Sequence, residues 1–303
     1  MKTKPLISII INCFNGEKYL KDCLISVLNQ SYTNWEVIFW DNQSSDNSKR
    51  IFLEFKDKRF KYYNSNNHTP LYEARNNAIK KSTGEIIAFL DTDDWWEKNK
   101  LEKQVPLFEN KKIGMVYSNC YLFFEKKNKK KIYIKKNLKS GNITNHLFKS
   151  YEVGITTVLL KKKAFDSVSG FNNSYNIIGD FDLIMRLSTK YEFNCVQEPL
   201  AHYRIHGKNF SILNNMSEID ELQNWINDYS VISNELLKPY LHHIKRRIDF
   251  LKTIKLINEK EMIKAIRNII LFPISINKIK LILYFIFPKK VIDIINDFKN
   301  RNL

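Results

Sequence analysis

The chain has few cysteines and no spacing of them that builds a cross-link or a metal cage. Cys13, Cys23, Cys120 and Cys195 are scattered over 303 residues with no Cys-x-x-Cys pair, which argues against a zinc ribbon and a disulfide framework. Cys13 and Cys23 stand in apolar surroundings and read as small buried hydrophobes. A reduced, cytoplasmic setting fits. Met1-Lys2-Thr3-Lys4-Pro5 leads straight into a strand-like run without a secretory apolar region. The longest apolar run, Leu281–Pro288, is too short to span a bilayer. No internal repeat is present. No Gly-x-Gly-x-x-Gly follows the first strand, which argues against a dinucleotide-binding Rossmann enzyme.

Acidic side chains are also scarce. Lys and Arg number 49 against 32 Asp and Glu, a formal net charge of +17. That excess favours an anionic partner, whether nucleotide, nucleic acid or acidic membrane surface, and does not choose among them. Part of the Lys and Asn richness reads as biased genomic composition. What is present in quantity is core material: 44% hydrophobic and 13% aromatic residues. The length allows one large domain, or one domain with an appendage.

Leu6–Asn12 reads as a buried strand, Asn15-Gly16 as a turn, and Glu17–Asn29 as a helix with Leu20, Cys23, Leu24, Val27 and Leu28 at helical spacing. Trp35–Asp41 is a second strand ending in an acid, and Asn42–Asp46 a loop rich in helix-capping residues before a helix to about Phe55. A short strand, Phe60–Tyr63, a polar loop, Asn64–Thr69, and a helix from Pro70 carrying Ala74, Arg75, Ala78 and Ile79 follow. The alternation predicts a three-layer α/β domain.

The key stretch is Ile86–Asp94. Ile86–Leu90 is an unbroken apolar run suited to a strand buried on both faces, and it ends in Asp91, Asp93 and Asp94. Acids at the carboxyl end of a buried parallel strand lie where open α/β sheets bind ligands. Carboxylates this close repel unless a cation or donors offset them, and oxygen ligands suit Mg²⁺ or Mn²⁺. The plainer reading is a polar connection whose acids cap the next helix. Beyond it, Leu101–Phe108 reads as helix, Ile113–Ser118 as strand, and Tyr121–Lys136 as a hairpin with a basic, solvated turn at Lys126–Lys131. Thr156–Leu160 reads as a short strand, and Lys161–Lys163 as the solvated start of a helix.

In Ile177–Leu187, Gly179 breaks the pattern and Asp180 opens a helix, so Asp180 reads as an N-cap and Asp182–Arg186 as an i,i+4 ion pair. The segment His202–Ser211 gathers two histidines, Arg204 and Lys208. It suits phosphate neutralisation or a metal shell; an ordinary polar turn after a strand is the competing reading. From about Met216 turn residues thin out, and a basic α-helical appendage is expected. Residues 274–290 are apolar with basic flanks, which fits either an interfacial membrane anchor or helix-on-helix packing and dimerisation.

Taken together, Ser8–Asn15, Trp40–Asp46, Glu73–Ala78, Gly84–Asp94 and Gly179–Leu187 resemble the inverting family 2 glycosyltransferases of the GT-A fold. The resemblance implies a GT-A type three-layer α/β/α sandwich with a mixed, mostly parallel sheet over residues 1–214, with a C-terminal helical region at 215–303. It implies that Asn12, Asp41 and Asn42 lie against the nucleotide base, that Phe14 and Thr92 line the nucleotide-sugar site, and that Arg75 lies beside the nucleotide. Asp91 would contact the ribose, Asp93 would hold Mn²⁺ or Mg²⁺ at the donor diphosphate, and Asp180 would be the general base. His206 matches a histidine that reaches the diphosphate or metal. Gly179 stands where the family usually has Glu, and Asn42 where many members have a second Asp. The implied partners are a nucleoside-diphosphate sugar and a saccharide or lipid-linked acceptor at the inner face of the cell membrane, with peripheral contact through the basic C-terminal helices and no nucleic acid. A sugar nucleotidyltransferase would want a glycine-rich loop, and Asn12–Lys18 has the single Gly16. A nucleic-acid-binding protein would account for the charge and not for clustered acids.

Overall fold

The computed structural model describes residues 4–207, 209, 215–231 and 235–287. The chain divides into two compact units, 1–214 and 215–303. In the first unit, largely apolar runs form β1 (Ile7–Cys13), β2 (Trp35–Asp41) and β4 (Ile86–Phe89), with β3 (Phe60–Asn64) outside them. The helices between them are α1 (Leu20–Leu28), α2 (Ser48–Leu53) and α3 (Leu71–Ile79). The remaining elements are β5 (Trp95–Trp96), α4 (Lys100–Gln104), β6 (Ile113–Phe124), β7 (Lys129–Ile132), α5 (Thr144–Lys149), β8 (Leu159–Lys161), α6 (Lys162–Ser167), α7 (Gly179–Ser188) and β9 (Glu192–Ile205).

Among the described residues the strands make one sheet in the order β3–β2–β1–β4–β8–β6–β9–β5, with β7 a hairpin partner of β6. The first four are mutually parallel; β8 runs antiparallel to β4 and β6, and β9 parallel to β6. Ile7, Ile9, Ile11 and Cys13 alternate onto one face, against Leu20, Cys23, Leu24 and Val27 of α1 and Phe52 of α2. The opposite face of β1 and β2 is covered by α3. The three-layer α/β architecture is thus present. After β3 the chain crosses back over β1 to β4, so the direction of strand addition reverses between β1 and β4. Crevices at such a switch point, outside the carboxyl ends of the strands, are where α/β sheets bind ligands.

Several boundaries differ from expectation. α1 starts at Leu20, because the Gly16 carbonyl accepts the Tyr19 and Leu20 amides in a tight turn first. The expected strand at Ile113 and the first arm of the hairpin are one strand, β6. Its register shifts at Asn119, whose amide side chain donates to the Ile134 carbonyl and accepts the Ile134 and Cys120 amides. Part of the basic Lys126–Lys131 run is strand, with the Lys130 ammonium 4.2 Å from the Tyr121 ring centroid. Residues 155–157 are a 3₁₀ turn, and the strand begins at Leu159.

The second unit contains α8 (Asn215–Val231), α9 (Leu241–Asn258), α10 (Met262–Leu271) and α11 (Ile276–Ile286). Ile269, Phe272 and Leu281 pack against Phe250, Ile254 and Ile257 of α9. Residues 288–290 of the apolar 274–290 stretch lie outside the described residues, as does Lys208.

Candidate active site

Beyond β4 the Asp94 amide donates to the Asp91 carbonyl at 3.1 Å, and this turn sends three carboxyl groups in different directions. Asp91 leans toward α3, where the Arg75 Nη2 donates to its Oδ1 at 2.6 Å. The Arg75 guanidinium is buried, with the Tyr72, Phe89 and Phe171 ring centroids 5.3, 5.9 and 6.0 Å away. A desolvated guanidinium needs a carboxylate partner, and Asp91, still one-third exposed, connects it to the crevice.

Asp93 leans the other way. Its Oδ2 is 2.9 Å from His206 Nε2 and 3.4 Å from Asn209 Nδ2. Burial and the nearby Asp91 charge raise its pKa, opposed by the hydrogen bond from His206. Asp94 turns inward. Its Oδ1 accepts the Arg204 amide at 2.9 Å, and its Oδ2 is buried without a hydrogen-bond partner. Burial first, then Asp93 and Asp91, push this carboxyl well above the carboxylate range. Asp94 is therefore an enclosed structural acid. Of the three acids it is the one turned into the protein.

Arg204 organises this side. Its Nε donates to the Asp93 carbonyl at 2.8 Å, and its guanidinium lies 4.4 Å from the Tyr19 ring centroid and 4.5 Å from that of Trp95. Tyr19 in turn lies beside the His206 ring, at 5.1 Å, and its hydroxyl donates to Glu125. His202 is not in a polar turn. It is buried in β9, stacked between Trp95 at 4.5 Å and Tyr121 at 4.9 Å, with Nε2 2.8 Å from Glu97. Pairing with β6 keeps this segment in the sheet, which removes His202 from the phosphate- or metal-facing set.

Asp180 lies in the first turn of α7. The helix opens one residue earlier, at Gly179, and the residue before it, Ile178, makes no side-chain cap. Asp180 is thus not the N-cap; its Oδ1 accepts the Phe181 amide at 2.7 Å and lies 3.3 Å from the Tyr72 hydroxyl. Burial raises the Asp180 pKa; the Arg75 charge and the two hydrogen bonds oppose the rise, and Asp91 adds to it. Arg75 and Tyr72, one turn apart on α3, thus reach Asp91 and Asp180 and link the β4 tip to the start of α7. Asp182 and Arg186 form the expected i,i+4 pair at 2.5 Å, and Arg186 also donates to the Val168 and Gly170 carbonyls.

On the β1–β2 side the loops are clasped together. Asn15, at φ 53°, accepts the Ser45 amide through Oδ1 and donates its own amide to Ser44 Oγ. Asn tolerates this left-handed conformation. Gly16 lets Thr92 approach: a Cβ there would lie 2.9 Å from Thr92 Oγ1. Asp41 is buried, accepting the Tyr62 hydroxyl at 2.6 Å and the Ser44 amide at 2.8 Å. Asn42 donates to the Thr69 carbonyl and accepts the Thr69 amide, and its carbonyl meets His68 Nδ1 at 3.0 Å. Both side chains hold the 64–69 loop against β2. Phe14, half exposed, has His68 beside its ring at 4.3 Å. Asn12 presents a buried amide, donor and acceptor both without partners, on the face of β1 that also carries Trp40 on β2. A buried unsatisfied amide is costly, which marks Asn12 as a position built for a complementary group.

The residues therefore form an arc along the carboxyl ends of β1, β2 and β4. It runs from Asn12, Phe14, Asp41 and Asn42 through Thr92, Asp93 and His206 to Asp91, Arg75 and Asp180. Tyr72 and Arg204 complete it; Arg204 belongs to the segment read as suited to phosphate neutralisation, whereas Tyr72 was not legible as a site residue. Tyr72 stands three residues before Arg75, one turn of helix, and that spacing was the available signal.

The family model for glycosyl transferase family 2 matches residues 8–169, more than half of the chain. The chain belongs to glycosyl transferase family 2. Among curated family relatives, UDP-Glc:alpha-D-GlcNAc-diphosphoundecaprenol beta-1,3-glucosyltransferase WfgD of Escherichia coli is 37% identical over 165 residues, 54% of this chain and 63% of that protein. The putative teichuronic acid biosynthesis glycosyltransferase TuaG of Bacillus subtilis is 34% identical over 121 residues, 39% of this chain and 48% of that protein. The match thus spans about half to three-fifths of these relatives' lengths. Among solved structures, S. aureus TarS 1-349 in complex with UDP superposes with a TM-score of 0.59 at 16% identity, covering 86% of this chain and 88% of that one. The mannosyltransferase PcManGT of Pyrobaculum calidifontis, in complex with GDP-Man and Mn²⁺, superposes with a TM-score of 0.61 at 15% identity, covering 93% and 79%. These likenesses show the GT-A type fold.

Proposed function

We propose that this family 2 member transfers a sugar, with inversion and with the help of Mn²⁺ or Mg²⁺, from a nucleoside-diphosphate sugar to a hydroxyl of a saccharide on a lipid-linked acceptor. Cell-surface polysaccharide synthesis at the cytoplasmic face of the membrane is the setting this reading implies. The observation that carries it is the α3 bridge: the buried Arg75 guanidinium pairs with Asp91 at the β4 tip at 2.6 Å, and one helical turn earlier the Tyr72 hydroxyl lies 3.3 Å from Asp180 Oδ1 at the start of α7. On this reading α3 joins a donor-binding carboxylate to a proton-accepting one.

Asn12, Phe14 and the Asp41–Asn42 loop would receive the base, with Phe14 and its His68 neighbour offering a ring face. The relatives named for UDP-glucose and the TarS complex with UDP favour a uridine donor. The Asn12 amide, one donor beside one acceptor, is complementary to an imide edge of that kind. Arg75, paired with Asp91, would hold it toward a ribose. Asp180, raised by burial, would take the acceptor hydroxyl's proton; a positioned base of this kind contributes on the order of 10²–10⁴-fold.

The donor set near the tip fits a divalent cation. Asp93 is a carboxylate held between burial and Asp91, so a cation would relieve its charge, and His206 Nε2 lies 2.9 Å from it. Among the described residues no group of three or more His, Cys, Asp or Glu is arranged as a cage, and Mg²⁺-type sites of one or two protein ligands are completed by substrate phosphates and water. Asp93 and His206 would hold the ion, which when bound stabilises the negative charge of the departing nucleoside diphosphate.

The test is a panel of UDP-glucose, UDP-GlcNAc and GDP-mannose, each with Mn²⁺, Mg²⁺ or chelator, read by thermal stabilisation and by release of nucleoside diphosphate. Metal-dependent stabilisation by one base class, lost in Asp93→Asn, is expected. Equal turnover in chelator removes the metal role, and no response to any donor removes the function.

A further inference from the structure

The outward stripes of α10 and α11 are apolar. Ile263, Ile266 and Ile270 recur at helical spacing on α10, as do Ile276, Ile279 and Leu283 on α11, and all six are exposed. The extremes are Ile263 at 85% and Ile274, in the connection between the helices, at 97%. The inward residues Ala265, Ile269 and Leu281 already serve the unit's own core with Phe272. The stripes are therefore surplus to folding of the described helices. Single exposed aliphatics are ordinary; a contiguous row of them marks an interaction surface.

Charge selects the partner. Residues 262–287 contain Lys264, Arg267, Lys278 and Lys280 and no Asp or Glu. Two copies of this chain joined through the same face would set these cations against each other. An anionic lipid surface would attract them while accepting the isoleucines. An amphipathic helix with Lys or Arg beside an aliphatic stripe lies in the plane of the lipid headgroups. α11 has 11 residues, about 16 Å of helix, and no helix among the described residues is long and apolar enough to cross a membrane.

We infer that the α10–α11 face is a docking surface for anionic phospholipid, seating the helices in the interfacial layer without spanning it. The inference rests on the proposed function only for its purpose, bringing a lipid-linked acceptor within reach; the binding itself needs neither donor nor metal. Arg267, Lys278 and Lys280 meet headgroup phosphates, and the isoleucine stripes enter the acyl boundary.

The test uses the full chain and two sets of vesicles, phosphatidylcholine alone and phosphatidylcholine mixed with phosphatidylglycerol, read by co-sedimentation. Binding at least about tenfold tighter to the mixed vesicles is expected, since each cation near such a surface contributes severalfold, and added salt should weaken it. The triple variant Ile263→Glu, Ile270→Glu, Ile279→Glu should lose vesicle binding while keeping its circular dichroism and its turnover with a soluble acceptor. The variant Arg267→Gln, Lys278→Gln, Lys280→Gln should lose the preference for the anionic vesicles. Failure to sediment with either set overturns the inference. So does a dimer in analytical ultracentrifugation that the triple Glu variant dissociates. Vesicle binding without donor turnover sinks the proposed function and leaves this face standing; turnover without vesicle binding does the reverse.

Discussion

A Cβ placed on Gly179 would lie 2.4 Å from the ring of Tyr72. The aromatic ring of α3 occupies the space a side chain would need at the start of α7, and its hydroxyl reaches both the Ile177 carbonyl, at 3.2 Å, and Asp180 Oδ1, at 3.3 Å. Gly179 and Tyr72 thus act as one unit that sets where Asp180 stands. Gly179→Ala should force the ring aside. Overpacking of this kind costs roughly 1–3 kcal/mol, and turnover should fall further than stability does, because Asp180 moves with the helix start. A thermal melt beside kcat/KM checks this; equal activity in the variant shows that the packing does not govern the base.

Removing only the Tyr72 hydroxyl should move the pH profile. That hydrogen bond favours ionised Asp180 and so lowers its pKa, against the larger effect of burial. In Tyr72→Phe the Asp180 pKa rises, so the acid limb of kcat/KM should shift to higher pH while the ring keeps the packing. An unmoved acid limb means that Asp180 is not the group titrating in it.

Arg75 and Asp91 act on the same carboxyl with opposite signs. The Arg75 charge lowers the Asp180 pKa and the Asp91 charge raises it. Arg75→Met should therefore move the acid limb up and Asp91→Asn should move it down, relative to the wild type. Arg75→Met also leaves carboxylates without their buried counter-charge, at a cost on the order of 3 kcal/mol, lessened because Asp91 remains one-third exposed. Shifts of the same sign in both variants would contradict the shared-guanidinium arrangement.

What local sequence showed and what it hid follows from where each contact comes from. β1, β2 and β4 announce themselves as largely apolar runs because both of their faces are buried. Leu20, Cys23, Leu24 and Val27 announce α1 by spacing. Long-range contacts had no local signature. β6 runs on past Ser118 because Asn119 grips Ile134 across the hairpin. His202 is strand because Trp95 and Tyr121 sandwich it. Tyr72 meets its partner Asp180 across 108 residues of chain, so nothing near it in sequence betrays the contact. Among the acids Asp91, Asp93 and Asp94, composition could not tell which one turns inward; the Arg204 amide decides it by donating to Asp94 Oδ1.

Away from the crevice, Glu36 ties the strands together and should govern acid stability. Its Oε1 accepts the Ser8 hydroxyl at 2.6 Å, the Thr83 amide at 2.7 Å and the Thr83 hydroxyl at 2.9 Å, and its Oε2 accepts Lys61 Nζ at 2.6 Å. Burial by itself would raise this carboxyl, yet these donors together bring it down from 4.5 to about 2. A carboxylate depressed on folding stabilises the protein above its unfolded pKa and ceases to as the pH falls through the folded one. The contribution should be complete above about pH 4.5 and lost progressively down to about pH 2, worth about 2 kcal/mol once the partial exposure of Lys61 is discounted. Glu36→Gln should accordingly melt lower than the wild type at neutral pH, with the gap narrowing as the medium is acidified below about pH 4. Melts across that range decide it: a gap that stays constant with pH would assign the loss to packing and hydrogen bonding and not to the ionised carboxylate.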